Sequence, residues 1–325
     1  MSTDSRLRVL FALLVAAVLA LGVVACGGDD DEDEGGGDTS ANLIEENPDN
    51  NGVQVTVGSK NFTEQYILGE IYAQALEAAG YDVKTQLNLG SEVIALRALE
   101  DGEIDAYPEY TSTALTSFFK TPPEDVPADP QQAFEDSQAE FEDQGLTAFP
   151  PTPFNSANAV GLLSERANEL GVESISDLEG QSEDLTLYGS PECRQRVDCL
   201  VGLEDNYGLQ FQKFTPVDIG LRYEVLDKGD ADLSILFTTD AQLSESDKYT
   251  ILEDDQGLLP AGNVLFVART QTVDEAGPDF GEVVESVQQD LSLEVMQELN
   301  ARVDIDKEEP AQAAESYLKE FGYIE

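Results

Sequence analysis

Residues 53–89 read VQVTVGSKNFTEQYILGEIYAQALEAAGYDVKTQLNL, and this stretch decides the fold. Its first five residues alternate apolar and polar side chains, which predicts a β-strand. Residues 63–80 carry apolar side chains at the spacing of one helix face, and Gly80 is placed to end that helix. Residues 83–89 return to a strand pattern. A strand, a helix and a second strand in this order predict an α/β domain with a largely parallel sheet.

The same alternation of strands and helices continues along the chain and predicts two lobes. The stiff run Pro150-Pro151-Thr152-Pro153 indicates a first crossing between the lobes, and a second crossing is expected within residues 257–268. We therefore expect lobe 1 to comprise residues 51–154 plus 258–325, and lobe 2 to comprise residues 155–257.

Two segments, residues 96–113 and 222–240, echo each other. Each passes from a helix through a glycine turn and an acidic residue into a strand, and then reaches an aromatic residue and a threonine-rich stretch. Ligands of open parallel sheets bind beyond the carboxyl ends of the strands. The echo therefore predicts that each lobe presents one aromatic and threonine cluster to a shared cleft. Ordinary strand-to-helix turns are the alternative explanation.

The charge of the chain excludes some classes of function. Its 325 residues include 17 Lys+Arg, 66 Asp+Glu and no His, which gives a formal net charge of −49. A chain this acidic is unsuited to nucleic acid, because phosphate binding needs a basic surface. The lack of His removes the commonest general base and the commonest transition-metal ligand. The acidity either keeps an extracytoplasmic protein soluble or suits a medium of high salt.

The first 25 residues predict an export signal. Arg6 and Arg8 precede an apolar run that extends over residues 9–25. Since this run nearly spans a bilayer, a retained membrane anchor is one interpretation. The run ends in VVA before Cys26, which resembles the lipobox of bacterial lipoproteins. A signal peptide over residues 1–25 and a lipidated Cys26 are therefore the favoured interpretation.

Residues 26–50 predict a tether between this anchor and the lobes. The segment contains flexible glycines and an acidic block over residues 29–34. Such a block repels itself and cannot bury apolar surface, so we expect the tether to be extended.

Two further cysteines, Cys193 and Cys199, lie in the segment PECRQRVDC. Outside the cytoplasm, two cysteines so close together are most simply explained by a disulfide. A zinc site would need two more ligands, and the sequence indicates none.

Three stretches of the chain together carry a resemblance to a known family. They read GSKNFTEQYILGEIYAQALEAAGY over residues 58–81, LNLGSEVIALRALEDGEIDAYPEYTSTAL over residues 87–115, and GLRYEVLDKGDADLSILFTTDAQL over residues 220–243. The chain resembles the substrate-binding proteins of ABC importers for osmoprotectants such as glycine betaine, choline and carnitine. The resemblance implies a type II periplasmic-binding-protein-like α/β fold, with two lobes that close on a ligand in the cleft between them.

The resemblance also implies a cage of aromatic side chains around the ammonium group of the ligand. A quaternary ammonium has no N–H to donate, so aromatic faces rather than hydrogen bonds must recognise it. By position, Tyr110 and Tyr223 match cage residues. Phe237 stands where the family often has another tyrosine, but it keeps the aromatic face. Asn158 stands where the family often has a further tyrosine, so the cage is incomplete or the ligand differs. Half-buried aromatic residues without a ligand role are the plainer explanation of the three rings.

Four polar positions complete the site that the resemblance implies. Lys60 and Arg196 match residues that bind the carboxylate of betaine, and Thr113 matches a polar contact. Asn158 is counted as a polar contact as well. Lys60 as a solvated lysine at a strand end, and Arg196 as the partner of one of many acids, are the alternatives.

These expectations favour a monomeric extracytoplasmic protein that captures a quaternary ammonium osmoprotectant without a cofactor. The chain contains no GxxxxGK[ST] motif and no region of several membrane spans, so the permease and the ATPase should be separate subunits. An extracellular hydrolase is disfavoured, because no GxSxG motif and no His are present. A binding protein or sensor for another small polar solute, such as an amino acid, remains the alternative.

Overall fold

The computed structural model describes residues 42–325. The predicted signal peptide over residues 1–25, the lipidation site Cys26 and the acidic block lie outside the described residues. Within the described part of the chain, no helix is both long and apolar enough to cross a membrane.

The first of two sheets contains six strands. In chain order they are β1 (Gln54–Gly58), β2 (Asp82–Gln86), β3 (Ala106–Tyr110), β4 (Leu146–Ala148), β5 (Asn155–Ser156) and β11 (Gly262–Arg269). Their helices are α1 (Thr63–Ala78), α2 (Glu92–Glu100), α3 (Thr111–Thr113), α4 (Pro130–Glu142), α9 (Thr270–Ala276), α10 (Pro278–Gln288), α11 (Leu293–Asp304) and α12 (Pro310–Glu320). A π-helical turn, Ala114–Phe118, continues α3. We call this sheet and these helices lobe 1.

The second sheet contains the five remaining strands of the described residues. They are β6 (Asn158–Leu163), β7 (Thr186–Gly189), β8 (Lys213–Pro216), β9 (Leu233–Phe237) and β10 (Tyr249–Ile251), in the spatial order β10-β6-β9-β7-β8. The helices between them are α5 (Ser164–Leu170), α6 (Leu200–Asp205), α7 (Arg222–Asp227) and α8 (Ala241–Glu245). We call this unit lobe 2.

Each sheet is mixed because one strand is reversed, so the expectation of largely parallel sheets holds for the other described strands but not for β6 and β11. In lobe 1, β1 runs parallel to β2 and β3, but β11 runs antiparallel to β3, β4 and β5. In lobe 2, β7 runs parallel to β8 and β9, but β6 runs antiparallel to β9 and β10. Strands joined by a crossover helix on their own sheet run parallel. β6 and β11 instead enter their sheets from the other lobe, so that constraint does not apply to them.

The sheet of lobe 1 is buried on both faces, and β11 shows how. Val264, Phe266 and Ala268 point into one hydrophobic cluster, which also contains the apolar face of α1. The alternate residues Leu265 and Val267 point into a second cluster on the opposite face. This two-residue period is the geometry of a strand, and an almost continuously apolar strand is expected where helices cover both faces.

The last residues of the predicted tether lie on lobe 1 rather than extending from it. The backbone N–H of Ile44 donates to the carbonyl oxygen of Tyr323 at 2.9 Å, and that of Asn47 donates to the carbonyl oxygen of Ala79 at 3.1 Å. Ile44 also packs against the hydrophobic core of lobe 1. Residues 42–50 are therefore part of the folded body, because burial of apolar surface and backbone hydrogen bonds hold them there.

Candidate ligand-binding site between the lobes

Three strand ends supply aromatic rings to one cleft between the lobes. β3 ends at Tyr110, β9 ends at Phe237, and Phe62 follows the end of β1 by four residues. All three rings line the same space. The carboxyl ends of strands are where open α/β sheets bind their ligands.

We call this space the aromatic compartment. It holds about 820 Å³ of free space, a volume that includes space open to solvent. Both lobes contribute to its walls. Besides the three rings, its charged and polar lining comprises Lys60, Asn61, Ser91, Glu92, Ser112, Thr113, Ser156, Asn158, Ser190, Glu192, Arg196, Asp198 and Arg222.

The three rings are close enough to act on one ligand. The ring centroids of Phe62 and Tyr110 are 6.3 Å apart and the rings are stacked, whereas those of Phe62 and Phe237 are 5.2 Å apart and tilted. Phe62 and Tyr110 belong to lobe 1 and Phe237 belongs to lobe 2. Phe62 therefore links the aromatic residues of the two lobes.

Each lobe places one of its own cations against a ring of the compartment. Lys60 Nζ lies 4.5 Å from the ring centroid of Tyr110 and 5.8 Å from that of Phe62. The guanidinium carbon of Arg222 lies 4.0 Å from the ring centroid of Phe237. At these distances the faces of Tyr110 and Phe237 are within reach of cation–π interactions with the cations of the protein.

Lys60 is held by a buried carboxylate on β3. Lys60 Nζ donates to Glu109 Oε1, and the side chains of Lys60 and Glu109 are only 5% and 0% exposed. Glu109 also accepts from the hydroxyl of Tyr107 at 3.1 Å and from the backbone N–H of Tyr110 at 2.8 Å. The ammonium group is thus neutralised next to the aromatic compartment.

Arg196 is held by carboxylates from both lobes. Its Nε donates to Asp198 Oδ1 at 2.8 Å and its Nη2 donates to Asp198 Oδ2, while its Nη1 lies 3.5 Å from Glu92 Oε1 on α2 of lobe 1. Burial by itself lowers the pKa of the Arg196 guanidinium, but Asp198 and Glu92 outweigh that effect and raise it. Arg196 therefore stays charged and forms an ion pair across the cleft.

The loop that carries Arg196 is closed by a disulfide. Cys193 and Cys199 are bonded to each other, so the predicted disulfide is confirmed. Both cysteines also line the aromatic compartment. The bond restricts the short segment between them and so limits where the guanidinium of Arg196 can lie.

Thr113 and Asn158 line the aromatic compartment, as expected from the sequence. The amide of Asn158 is also engaged in the protein, since its Nδ2 donates to the carbonyl oxygen of Asp198 at 3.1 Å. Asn158 thus helps to hold the segment that pairs with Arg196.

Tyr223 is the one predicted contact residue that the structure does not place in the aromatic compartment. It lines a neighbouring space, where its hydroxyl donates to Asp240 Oδ2 at 3.0 Å. The preceding residue, Arg222, does line the aromatic compartment. Arg222 lines both spaces, whereas Tyr223, about 100° further round α7, lines only the neighbouring one.

We call the neighbouring space the polar compartment. It holds about 1230 Å³ of free space, also partly open to solvent. Phe62, Arg222 and Phe237 are among the residues that line both compartments, so the two spaces adjoin. The other side chains of its wall include Glu64, Tyr223, Asp240, Gln242, Asn300 and Asp304.

Sequence reasoning missed Phe62 and Arg222. Phe62 follows the end of β1, and ligands of open α/β sheets bind beyond the carboxyl ends of strands. The position of Phe62 in the sequence could therefore have identified it. Arg222 begins the second echoed segment, but nothing in its sequence context distinguishes it from a solvated arginine.

The ring of Tyr110 is fixed by a buried acid. Its hydroxyl donates to Glu64 Oε1 at 2.6 Å, and Asn300 Nδ2 donates to Glu64 Oε2 at 3.0 Å. Burial raises the pKa of Glu64. Burial and the nearby Glu64 raise the pKa of Tyr110 as well, so its hydroxyl remains a donor.

Comparisons with known proteins agree with this arrangement. The family model for the substrate-binding domain of ABC-type glycine betaine transport systems matches residues 53–320. A glycine-betaine-binding protein of Pseudomonas aeruginosa is 34% identical over 275 residues, which cover 81% of this chain and 86% of that protein. A carnitine transport binding protein of Listeria monocytogenes is 24% identical, with 83% of this chain and 88% of that protein covered.

The fold is also that of solved binding proteins. A crystal structure described as a glycine betaine/carnitine/choline ABC transporter superposes with a TM-score of 0.65 and 26% sequence identity. The superposition covers 82% of this chain and 99% of that chain. The predicted fold class, α/β with two lobes of the type II periplasmic-binding-protein kind, is confirmed.

Proposed function

The chain belongs to the family of substrate-binding domains of ABC-type glycine betaine transport systems, and from this premise we propose that it captures a quaternary ammonium osmolyte for an ABC importer. The relatives described above are named as binding or transport proteins rather than as enzymes. Betaine, choline and carnitine are the ligand class that this membership favours.

The observation that carries the proposal is the convergence of Phe62, Tyr110 and Phe237, from both lobes, on one compartment. Each ring that meets a desolvated ammonium contributes about 0.5–2 kcal/mol. Because one ligand would touch rings of both lobes, its binding favours the closed arrangement of the lobes.

The charges around the rings suit a ligand with one positive end. Lys60 is paired with Glu109, and Arg196 is paired with Asp198 and Glu92. These pairs reduce the repulsion between the cations of the protein and an ammonium ligand. Lys60 and Arg196 also offer donors to a ligand carboxylate, which must share them with the resident carboxylates.

Calorimetry with glycine betaine, choline and carnitine tests this proposal, with 3,3-dimethylbutan-1-ol as the uncharged isostere of choline. We expect the cations to bind and the isostere to bind more weakly, by a factor of about 2–30 for each cation–π interaction that it cannot form. Equal binding of choline and its isostere would show that the positive charge is not recognised.

We also propose that the protein is extracytoplasmic, acts as a monomer and is anchored to the membrane by lipid on Cys26, with separate permease and ATPase subunits. The small residues before Cys26 support the anchor. Replacing Cys26 by Ser should release the protein from the membrane fraction. A Cys26→Ser variant that stays attached would instead favour a retained apolar helix.

A further inference from the structure

The polar compartment is lined by unpaired hydrogen-bonding groups that a quaternary ammonium cannot pair with. Across residues 42–325, six buried side-chain polar atoms lack a hydrogen-bond partner. Three of them, Arg222 Nη1, Gln242 Oε1 and Asn300 Oδ1, belong to residues that line the polar compartment. Buried polar groups are normally paired, so these three groups are completed by whatever fills the space: water when no ligand is bound, or a ligand whose own polar groups match them.

The orientations of the Arg222 and Asn300 side chains are fixed by the bonds that they do make. Arg222 Nε donates to the carbonyl oxygen of Ile219 at 2.7 Å, and its Nη2 donates to Asp240 Oδ1 at 2.9 Å. Only Nη1 of this guanidinium is left without a hydrogen-bond partner. Asn300 Nδ2 donates to Glu64 Oε2 and to the carbonyl oxygen of Thr239, both at 3.0 Å. Exchanging the two ends of this amide would place its oxygen against two acceptors. Its Oδ1 is therefore the free end, and Arg222 and Asn300 are only 6% and 3% exposed.

The three unpaired groups define which polar groups a matching ligand must have. One is a cationic donor and two are amide acceptors, so the matching ligand has an anionic end and an end with at least two N–H groups. A carboxylate and a primary or secondary ammonium fulfil both conditions. A quaternary ammonium fails the second condition, because it has no hydrogen to donate.

The surrounding charge favours an ammonium on the side of the acceptors. Glu64, Asp240 and Asp304 line the polar compartment. Burial raises the pKa of Glu64 and that of Asp304, so an adjacent cation would stabilise their ionised forms. Arg222 already neutralises Asp240.

We propose that the polar compartment is a second site, which binds a small zwitterion of the α-amino acid class. Its carboxylate accepts from Arg222 Nη1, and its ammonium donates to Gln242 Oε1 and Asn300 Oδ1. Arg222 and Gln242 belong to lobe 2, whereas Asn300 belongs to lobe 1. The ligand therefore bridges the lobes beside the aromatic compartment and has a recognition chemistry different from that of the osmolyte proposed there.

A series of ligands with one skeleton tests the site. Glycine, N-methylglycine, N,N-dimethylglycine and glycine betaine share the carboxylate and lose one N–H at each step. Calorimetry would measure all four on the wild type, on Gln242→Met and on the control Thr215→Val. Thr215 Oγ1 is another buried atom without a partner, but Thr215 lines neither compartment, and Val has the same shape.

We expect Gln242→Met to weaken glycine binding by about tenfold or more, because a hydrogen bond to a charged donor is removed. Glycine betaine should bind equally well to the variant, Thr215→Val should change neither ligand, and glycine should still bind to protein saturated with betaine. Unchanged glycine binding in Gln242→Met, displacement of glycine by betaine, or no glycine binding to the wild type would each overturn the proposal. Failure of betaine alone to bind would instead count against the function proposed for the aromatic compartment.

Discussion

β3 in lobe 1 and β9 in lobe 2 each end in an aromatic ring, and the same three kinds of group meet at both rings. In lobe 1, Tyr110 lies under the ammonium of Lys60, which is paired with Glu109. In lobe 2, Phe237 lies under the guanidinium of Arg222, which is paired with Asp240. An aromatic ring, a cation on its face and a carboxylate behind the cation therefore meet at the cleft from both sides.

The two groups differ in how completely their polar atoms are paired. Lys60 Nζ has Glu109 as its one hydrogen-bond partner among the described residues, and Tyr110 is fixed through its hydroxyl to Glu64. Arg222 has two partners and one unpaired Nη1, while Phe237 has no hydroxyl to be fixed. The cation at the end of β3 therefore depends on one ion pair, whereas the cation at the end of β9 retains one unpaired N–H donor group.

The largest expected effect is on stability and comes from the two carboxylates. Glu109→Gln should lower the free energy of unfolding by about 3–5 kcal/mol, since it leaves the Lys60 ammonium buried without a charge partner. Asp240→Asn should lower the free energy of unfolding by less, about 1.5–3 kcal/mol. Arg222 retains its hydrogen bond to the carbonyl oxygen of Ile219 and its contact with the face of the Phe237 ring. Urea unfolding of both variants measures the difference.

Glu224→Gln is the control for this pair of variants. Glu224 pairs with Lys228 on the surface, and such exposed pairs contribute little to stability. Equal losses in Glu109→Gln and Asp240→Asn would mean that the additional partners of Arg222 do not compensate for the missing charge.

An intermediate effect is expected on ligand affinity. Tyr110→Ala and Phe237→Ala should each weaken glycine betaine binding by a factor of about 2–30, the value of one cation–π interaction. The loss should be greater for Tyr110→Ala, because it also releases Lys60 and removes a partner of Glu64. Isothermal titration of both variants tests this order.

Phe214→Leu serves as the matched control for affinity. Phe214 also carries a cation on its face, with the guanidinium carbon of Arg194 4.9 Å from the ring centroid, but it lines neither compartment. A similar loss of affinity in Phe214→Leu would show that the effect is general destabilisation rather than removal of a cage wall.

The smallest expected effect is a pH dependence of stability that comes from Glu64 in lobe 1. Because burial raises the pKa of Glu64 above its ordinary value of 4.5, the folded protein retains a proton that the unfolded chain loses. The contribution of Glu64 to stability therefore falls as the pH rises from 4.5 through the raised pKa. Glu64→Gln should remove this fall, so that the unfolding free energy of wild type minus variant decreases over that range.

Urea unfolding at a series of pH values measures this difference. Subtracting the curve of the variant removes the titration of the many other acids. A difference that is flat or that increases with pH would contradict the assignment of a raised pKa to Glu64.

Several features were readable from the sequence because their cause is local. The alternation in residues 53–57 predicted β1, and the helical spacing from Thr63 predicted α1. The short separation of Cys193 and Cys199 along the sequence predicted their disulfide. The echoed segments also directed attention to Tyr110 and Phe237, since both come at the end of a buried strand. In each case the deciding interactions lie within one element or one short loop.

Other features needed the tertiary structure because they depend on residues far apart in the chain. The sequence placed Tyr223 in the cage, but Tyr223 lines only the polar compartment. The sequence assigned Arg196 to a ligand carboxylate, with pairing to an acid as the alternative, and could not identify Glu92 and Asp198 as the acids that pair with it. The antiparallel entry of β6 and β11 was likewise invisible in their local pattern. The sequence alone determined which elements form and which family the chain resembles, because hydrophobic periodicity and turn residues act over a few positions. The packing of the two lobes decided which side chains share a compartment and which polar atoms remain unpaired, because these depend on distances between segments separated by tens to hundreds of residues.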